Sequence, residues 1–139
     1  MKLTDILMSP VTCQPQASLA EAATTMENRN VGSLIVTDES SRIAGIVTDR
    51  DIVVRGVAQR RGHDTPVSEV MTRDVISLTE DADLFDAAAR MGSAERRRLP
   101  VISADGTLKG VVSLDDLITL FSRQTENLAH VIAVETATH

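Results

Sequence analysis

The sequence predicts an α+β fold of two β-α-β-β-α repeats, packed with pseudo-twofold symmetry through their sheets. Three observations predict it. Two segments, residues 19–52 and 84–117, align without gaps at an offset of 65 residues. Each opens with a capped amphipathic helix pattern. Each then continues into two short apolar runs joined by a polar turn. An internal repeat decides the architecture, because one such unit buries little alone while two facing units can share a core.

The first segment reads LAEAATTMENRNVGSLIVTDESSRIAGIVTDRDI and the second LFDAAARMGSAERRRLPVISADGTLKGVVSLDDL. Ala22, Ala23 and Met26 fall on Ala87, Ala88 and Met91; Gly45 falls on Gly110, Thr48 on Ser113 and Asp51 on Asp116. Upstream, across a two-residue gap, Asp5-Ile6-Leu7-Met8 is paired with Ser68-Glu69-Val70-Met71.

Within each copy the elements follow in order. Leu19, Ala22, Ala23 and Met26 have the spacing of an amphipathic helix over residues 19–28. Ser18 and Glu21 form its capping box, as Asp83 and Asp86 do in the second copy. The runs Leu34-Ile35-Val36 and Ile43 to Val47 flank Asp38-Glu39-Ser40-Ser41, which reads as a hairpin turn. In the second copy Leu99 to Ile102 and Leu108 to Val112 flank Ser103-Ala104-Asp105-Gly106, where Asp-Gly is a strong hairpin signal. A second helix is expected from about Asp49 and from about Asp115. The polar stretch Gln59 to Pro66 breaks the periodicity. The expected division is therefore residues 1–58, a connection at 59–66, residues 67–123, and a tail at 124–139. The chain after Phe121 is expected to be helical at first and then frayed.

Composition narrows the function classes. Apolar residues make up 42% of the 139 residues but aromatics only 1%, so the core must be aliphatic. Nucleic-acid binding draws on aromatic stacking and a basic groove. A formal charge of −6 and two Phe with no Trp or Tyr argue against that partner, and the short run Arg96-Arg97-Arg98 does not reverse the balance. Cys13 is the single cysteine, so no intrachain disulfide can form, which fits a reducing compartment. No long apolar region follows the first residues, and no run approaches the about 20 residues of a membrane span. A cytoplasmic protein without a membrane partner is expected. His63 and His130 have no Cys or His at ligand spacing, and no Ser-His-Asp, Cys-His or Rossmann pattern is present. Neither a metal nor catalysis is expected.

Several motifs recur with the repeat. Met8-Ser9-Pro10 and Met71-Thr72-Arg73 stand near each start. Gly32-Ser33-Leu34-Ile35-Val36 is matched by Arg98-Leu99-Pro100-Val101-Ile102. Most specific are Gly45-Ile46-Val47-Thr48-Asp49-Arg50-Asp51 and Gly110-Val111-Val112-Ser113-Leu114-Asp115-Asp116. On these motifs the chain resembles a tandem pair of cystathionine-β-synthase-type (CBS) domains, a Bateman module, over roughly residues 3–121. The resemblance implies a non-catalytic regulatory module that binds an adenine nucleotide, AMP or ATP foremost, as a regulatory ligand rather than a required cofactor. It also implies a homodimer. Sensing of S-adenosylmethionine or NADH, or a dimerisation scaffold with degenerate sites, are the alternatives. No effector domain is readable in the chain, so the regulated protein is expected to be another chain.

The resemblance implies two clefts shared between the copies. One would combine Thr12, Val31 and Gly32 with Arg97, Val111, Ser113, Asp115 and Asp116. The other would combine Ile76, Arg96 and Arg97 with Ile46, Thr48, Arg50 and Asp51. The chemistry is suitable: a carboxylate can accept both ribose hydroxyls, and a guanidinium presents paired donors to phosphate. Arg97 is expected to favour phosphate in the cleft marked by Ser113 and Asp116. Helix capping is the bland alternative for Thr48, Asp51, Ser113 and Asp116, since Thr and Ser suit an N-cap and Asp suits the first turn. The two roles are compatible.

Overall fold

The computed structural model describes residues 2–138. The first repeat forms β1 (Thr12–Cys13), α1 (Leu19–Arg29), β2 (Ser33–Thr37), β3 (Ile43–Thr48) and α2 (Asp49–Asp51), which continues as a π-helical turn over Ile52–Val57. The second forms β4 (Leu78–Thr79), α3 (Leu84–Ala94), β5 (Arg98–Ile102), β6 (Leu108–Ser113) and α4 (Leu114–Thr138). A short 3-10 turn precedes each, at Leu3–Ile6 and Val67–Glu69. The expected α+β architecture and the β-α-β-β-α order are both present.

Local chemistry sets the helix limits. The Ser18 hydroxyl accepts the Glu21 N–H at 3.0 Å while the Glu21 carboxylate accepts the Ser18 N–H at 3.3 Å. Asp83 and Asp86 repeat the box at 2.7 and 3.3 Å. Each box satisfies donors that the first helical turn leaves unpaired. Both helices end on a left-handed residue, Asn30 at φ 52° and Glu95 at φ 54°.

Each sheet has three strands, in the orders β1-β2-β3 and β4-β5-β6. The outer β1 and β4 run parallel to β2 and β5, and the hairpins β2–β3 and β5–β6 are antiparallel. Ser33 pairs with Thr48 and Arg98 with Ser113, so the 65-residue offset of the sequence is also the offset of the strand register. The hairpins touch one another, with Arg42 bridging Thr107.

The cores are aliphatic and the lead-in segments exchange between them. Leu19, Ala22, Met26, Leu34, Val36 and Val47 form the first core together with Val67, Val70 and Met71. Leu78, Ala87, Met91, Leu99, Val101 and Val112 form the second together with Leu3. The turn that opens each repeat thus packs beneath the other repeat's sheet. Apolar burial at about 25 cal/mol per Å² makes these crossings a main adhesive between repeats.

Two expectations are corrected. Met8 does not correspond to Met71. Met8 bridges Val111 as Thr72 bridges Ile46, and Val111 and Ile46 are repeat equivalents, so Met8 corresponds to Thr72 and Leu7 to Met71. Glycine explains the pattern: a Cβ on Gly110 would lie 2.9 Å from the Met8 carbonyl oxygen and 3.0 Å from Leu7 Cβ. On Gly45 it would lie 2.7 Å from the Thr72 carbonyl oxygen and 2.8 Å from Met71 Sδ. The tail does not fray after Phe121 within the described residues: α4 is continuous over Leu114–Thr138, about 37 Å at 1.5 Å per residue.

Candidate functional site in the clefts between the repeats

β3 ends at Thr48 and turns directly into α2, which brings Thr48 and Asp51 to the sheet's end. The Thr48 hydroxyl accepts the Asp51 N–H at 3.0 Å, and the Asp51 carboxylate accepts the Thr48 N–H at 3.0 Å. The capping role is therefore realised. In the second repeat the Ser113 hydroxyl accepts the Asp116 N–H at 3.1 Å, and Ser113 is buried. The other Asp51 oxygen lies 3.9 Å from Arg55 Nε.

Across from this turn stands the arginine run that leads from α3 into β5. A cavity of 480 Å³ lies between them, bounded by Thr48, Asp51 and Ile46 on one side and by Arg96, Arg97 and Arg98 on the other. Val75 and Ile76 add apolar wall, and Asp74 adds a second carboxylate. Of the residues grouped from sequence for this cleft, Ile46, Thr48, Asp51, Ile76, Arg96 and Arg97 come together. Arg50 does not line the cavity. Its N–H donates to the Asp49 carboxylate at 2.8 Å.

The pseudo-symmetric hollow is smaller, 160 Å³, and mainly apolar, with Met8, Pro10, Val31, Ile35 and Val111 in its wall. Only Val31 and Val111 come from the group named for it in the sequence. Thr12, Gly32, Arg97, Ser113, Asp115 and Asp116 do not line it. Arg97 instead meets Asp115 at 3.3 Å in a pair that is about three-quarters exposed on both sides. A pair so exposed contributes little, about 0–1 kcal/mol, and is readily exchanged for another anion.

Sequence reasoning missed Arg98. It lines both hollows, as do Ser33, Ile46 and Pro100. The signal was available in the period of the strand: Arg98 and Pro100 lie two apart on β5 and therefore share a face, as do their equivalents Ser33 and Ile35 on β2. Arg96 and Arg97 also border an apolar hollow of 370 Å³ between α3 and α4.

The reactive inventory is sparse. Burial pushes the Cys13 thiol above its usual pKa, which keeps it protonated and weakly nucleophilic. Among the described residues no group of three His, Cys, Asp or Glu is placed to hold a metal ion. No helix among them is long and apolar enough to cross a membrane.

Comparison with known proteins agrees with this geometry. The CBS domain description matches residues 3–56 and 67–123. An uncharacterized 17.7 kDa protein from Acidianus ambivalens is 44% identical over 104 residues, 75% of this chain. The chain spans 62% of that relative's length. The CBS domain-containing protein YhcV of Bacillus subtilis is 40% identical over 106 residues, covering 76% of this chain and 74% of YhcV. Among solved structures, the CBS domain pair of protein MJ0100 in complex with 5-methylthioadenosine and S-adenosyl-L-methionine superposes with a TM-score of 0.73 at 30% identity. That match covers 89% of this chain and 98% of the other. Two matched repeats, two small sheets and a cleft on either side of their junction place the chain in the CBS domain family, as a tandem pair.

Proposed function

We propose that this CBS pair is a non-catalytic regulatory module that binds an adenosine-containing ligand in the 480 Å³ cleft. The observation that carries the reading is the polarity of that cleft, with a carboxylate at the end of β3 and three guanidinium groups opposite. Asp51 uses one acceptor site on the Thr48 N–H. A carboxylate has about four such sites, so both ribose hydroxyls can still donate to it. Ile46, Val75 and Ile76 offer apolar surface to a base. The volume lies within the about 300–1,000 Å³ of small-molecule sites, whereas 160 Å³ falls below it. This supports a single nucleotide site, with the second hollow lapsed.

Charge favours a ligand with few phosphates. Three arginines face two aspartates, a formal balance of +1 in the cleft wall. Such a wall suits AMP better than ATP. S-adenosylmethionine is the second reading, supported by the ligands of the MJ0100 pair. We further assign the protein to the cytoplasm, as a homodimer acting on a separate effector protein.

Calorimetric titration with AMP, ADP, ATP, S-adenosylmethionine and NADH tests the proposal. The expected result is saturable heat with AMP. A charged hydrogen bond contributes about 1.5–3 kcal/mol, so Asp51→Asn is expected to weaken AMP binding about tenfold or more. No heat from folded protein with any of the five overturns the adenosine reading.

A further inference from the structure

The hairpin of one repeat meets that of the other where Arg42 bridges Thr107, and a hollow of 300 Å³ is bordered by Arg42 there. Arg42 and Ile43 border it from the first repeat, and Arg73, Val75, Ser77 and Ile102 from the second. The segment that leads into β4 divides this hollow from the nucleotide cleft. Its residues alternate: Thr72, Asp74 and Ile76 border the cleft, Arg73 and Ser77 border the hollow, and Val75 borders both. Successive residues of an extended chain face opposite ways, so one segment serves as wall to two cavities.

The two guanidinium groups here are uncompensated in a chain of net charge −6. Among the described residues the ion pairs use Arg55, Arg61 and Arg97, not Arg42 or Arg73. Arg73 gives one of its five N–H donors to the Ser68 carbonyl, at 3.3 Å. The carboxylates of the two hairpin turns are engaged by their own turns. Asp38 accepts the N–H groups of Ser40 and Arg42 at 2.8 and 3.0 Å. Asp105 accepts from the Ser103 hydroxyl and the Thr107 N–H, and the Arg42 charge is the least of the causes that lower its pKa.

The repeat supplies an internal control. Arg42 falls on Thr107 by the 65-residue offset, and Arg73 falls on Ser9, since Thr72 and Met8 are equivalents. The fold builds the same positions with uncharged residues, so the two charges are not needed for folding.

We propose that this hollow binds a phosphoryl group, free or carried by a small metabolite. Charge decides the class. A phosphate monoester carries about −1.5 to −2 at pH 7, which two guanidinium groups balance, whereas a single carboxylate leaves one of them unmatched. Paired guanidinium donors fit phosphate oxygens, and the Ser77 hydroxyl is a further donor. Ile43, Val75 and Ile102 offer apolar surface to the body of a small ester.

Amide-resolved NMR titration of the full chain at constant ionic strength tests this, with inorganic phosphate in one arm and glycerol 3-phosphate in the other. Saturable shifts at Arg42, Arg73 and Ser77 are expected, and the tighter arm names the source. Arg42→Gln and Arg73→Gln are each expected to weaken binding about tenfold. The double variant is expected to lose the Ser77 shift, and the charge-matched pair Arg90→Gln, Arg123→Gln to keep it. Arg42 and Arg73 are exposed, so the variants are expected to keep the thermal transition of the wild type in phosphate-free buffer. Arg42→Gln leaves the Arg73 bond to Ser68 in place, and it decides the question if the double variant does not fold. Shifts that never saturate overturn the proposal, as does a double variant that binds like the wild type. So do shifts confined to Thr48, Asp51 and Arg97, which would put the phosphate in the nucleotide cleft instead.

Discussion

Single residues in the two hairpin turns show how one position is solved twice. Ser41 and Gly106 are repeat equivalents, and both take a positive φ, 60° and 88°. The second turn is held by Asp105, whose carboxylate accepts from the Ser103 hydroxyl and from the Thr107 N–H. The Ser103 bond foremost, then the Thr107 bonds, hold its pKa down from 3.8 to about 2. A lowered carboxylate pKa means stabilisation that is present above the unfolded value and lost as pH falls through the folded one. An NMR titration is expected to place the Asp105 midpoint near 2, and a midpoint at 3.8 would show that the turn bonds do not form in solution. Glu95 holds a left-handed cap that costs a side chain about 1–2 kcal/mol. Glu95→Gly is expected to stabilise by about 1 kcal/mol and to raise Tm by about 2–4 °C in a thermal melt. At this scale the sequence was most readable where partners are local: Ser18 with Glu21, Asp83 with Asp86, Thr48 with Asp51. Arg98 escaped because the strand's period gives only its face, while the other repeat's sheet that completes the hollows is recorded by no neighbour in the chain.

Among the elements, the lead-in segments and the glycines they approach are coupled. Gly45→Ala is expected to destabilise by about 1–3 kcal/mol, because the new methyl group meets the Thr72 carbonyl and Met71. Gly92, in the last turn of α3, makes the opposite case, since a methyl group there would have nothing within 4 Å. Gly92→Ala is expected to stabilise by about 0.5–1 kcal/mol, and chemical denaturation of both variants checks the pair. Hairpins and helices were legible because their periods are intrinsic to the strand and the helix. The lead-in register was one residue out because Met8 and Met71 are alike as residues, whereas position is set by which carbonyl closes on Gly45 or Gly110. The outer half of α4 mixes good helix formers such as Glu126, Ala129 and Ala133 with Thr125, Val131 and Ile132, a mixed signal that reads as fraying; the helix nevertheless persists to Thr138.

The whole molecule is held by the crossing of Leu3 into one core and of Val67, Val70 and Met71 into the other. Residues 1–58 and 59–139 prepared as separate peptides each lack part of the core they need. Each is expected to be unfolded alone and to recover secondary structure when the two are mixed, as read by circular dichroism. A peptide that folds alone would contradict this. The same crossing bears on how the protein is made. On the ribosome the first sheet is complete by Thr48, yet its floor arrives only with Val67 to Met71. Leu3 waits for Val101 and Val112, which follow it only after the whole first sheet and the connection. The nascent chain therefore has no resting point at the first sheet, and its fold is committed only when the second sheet has followed.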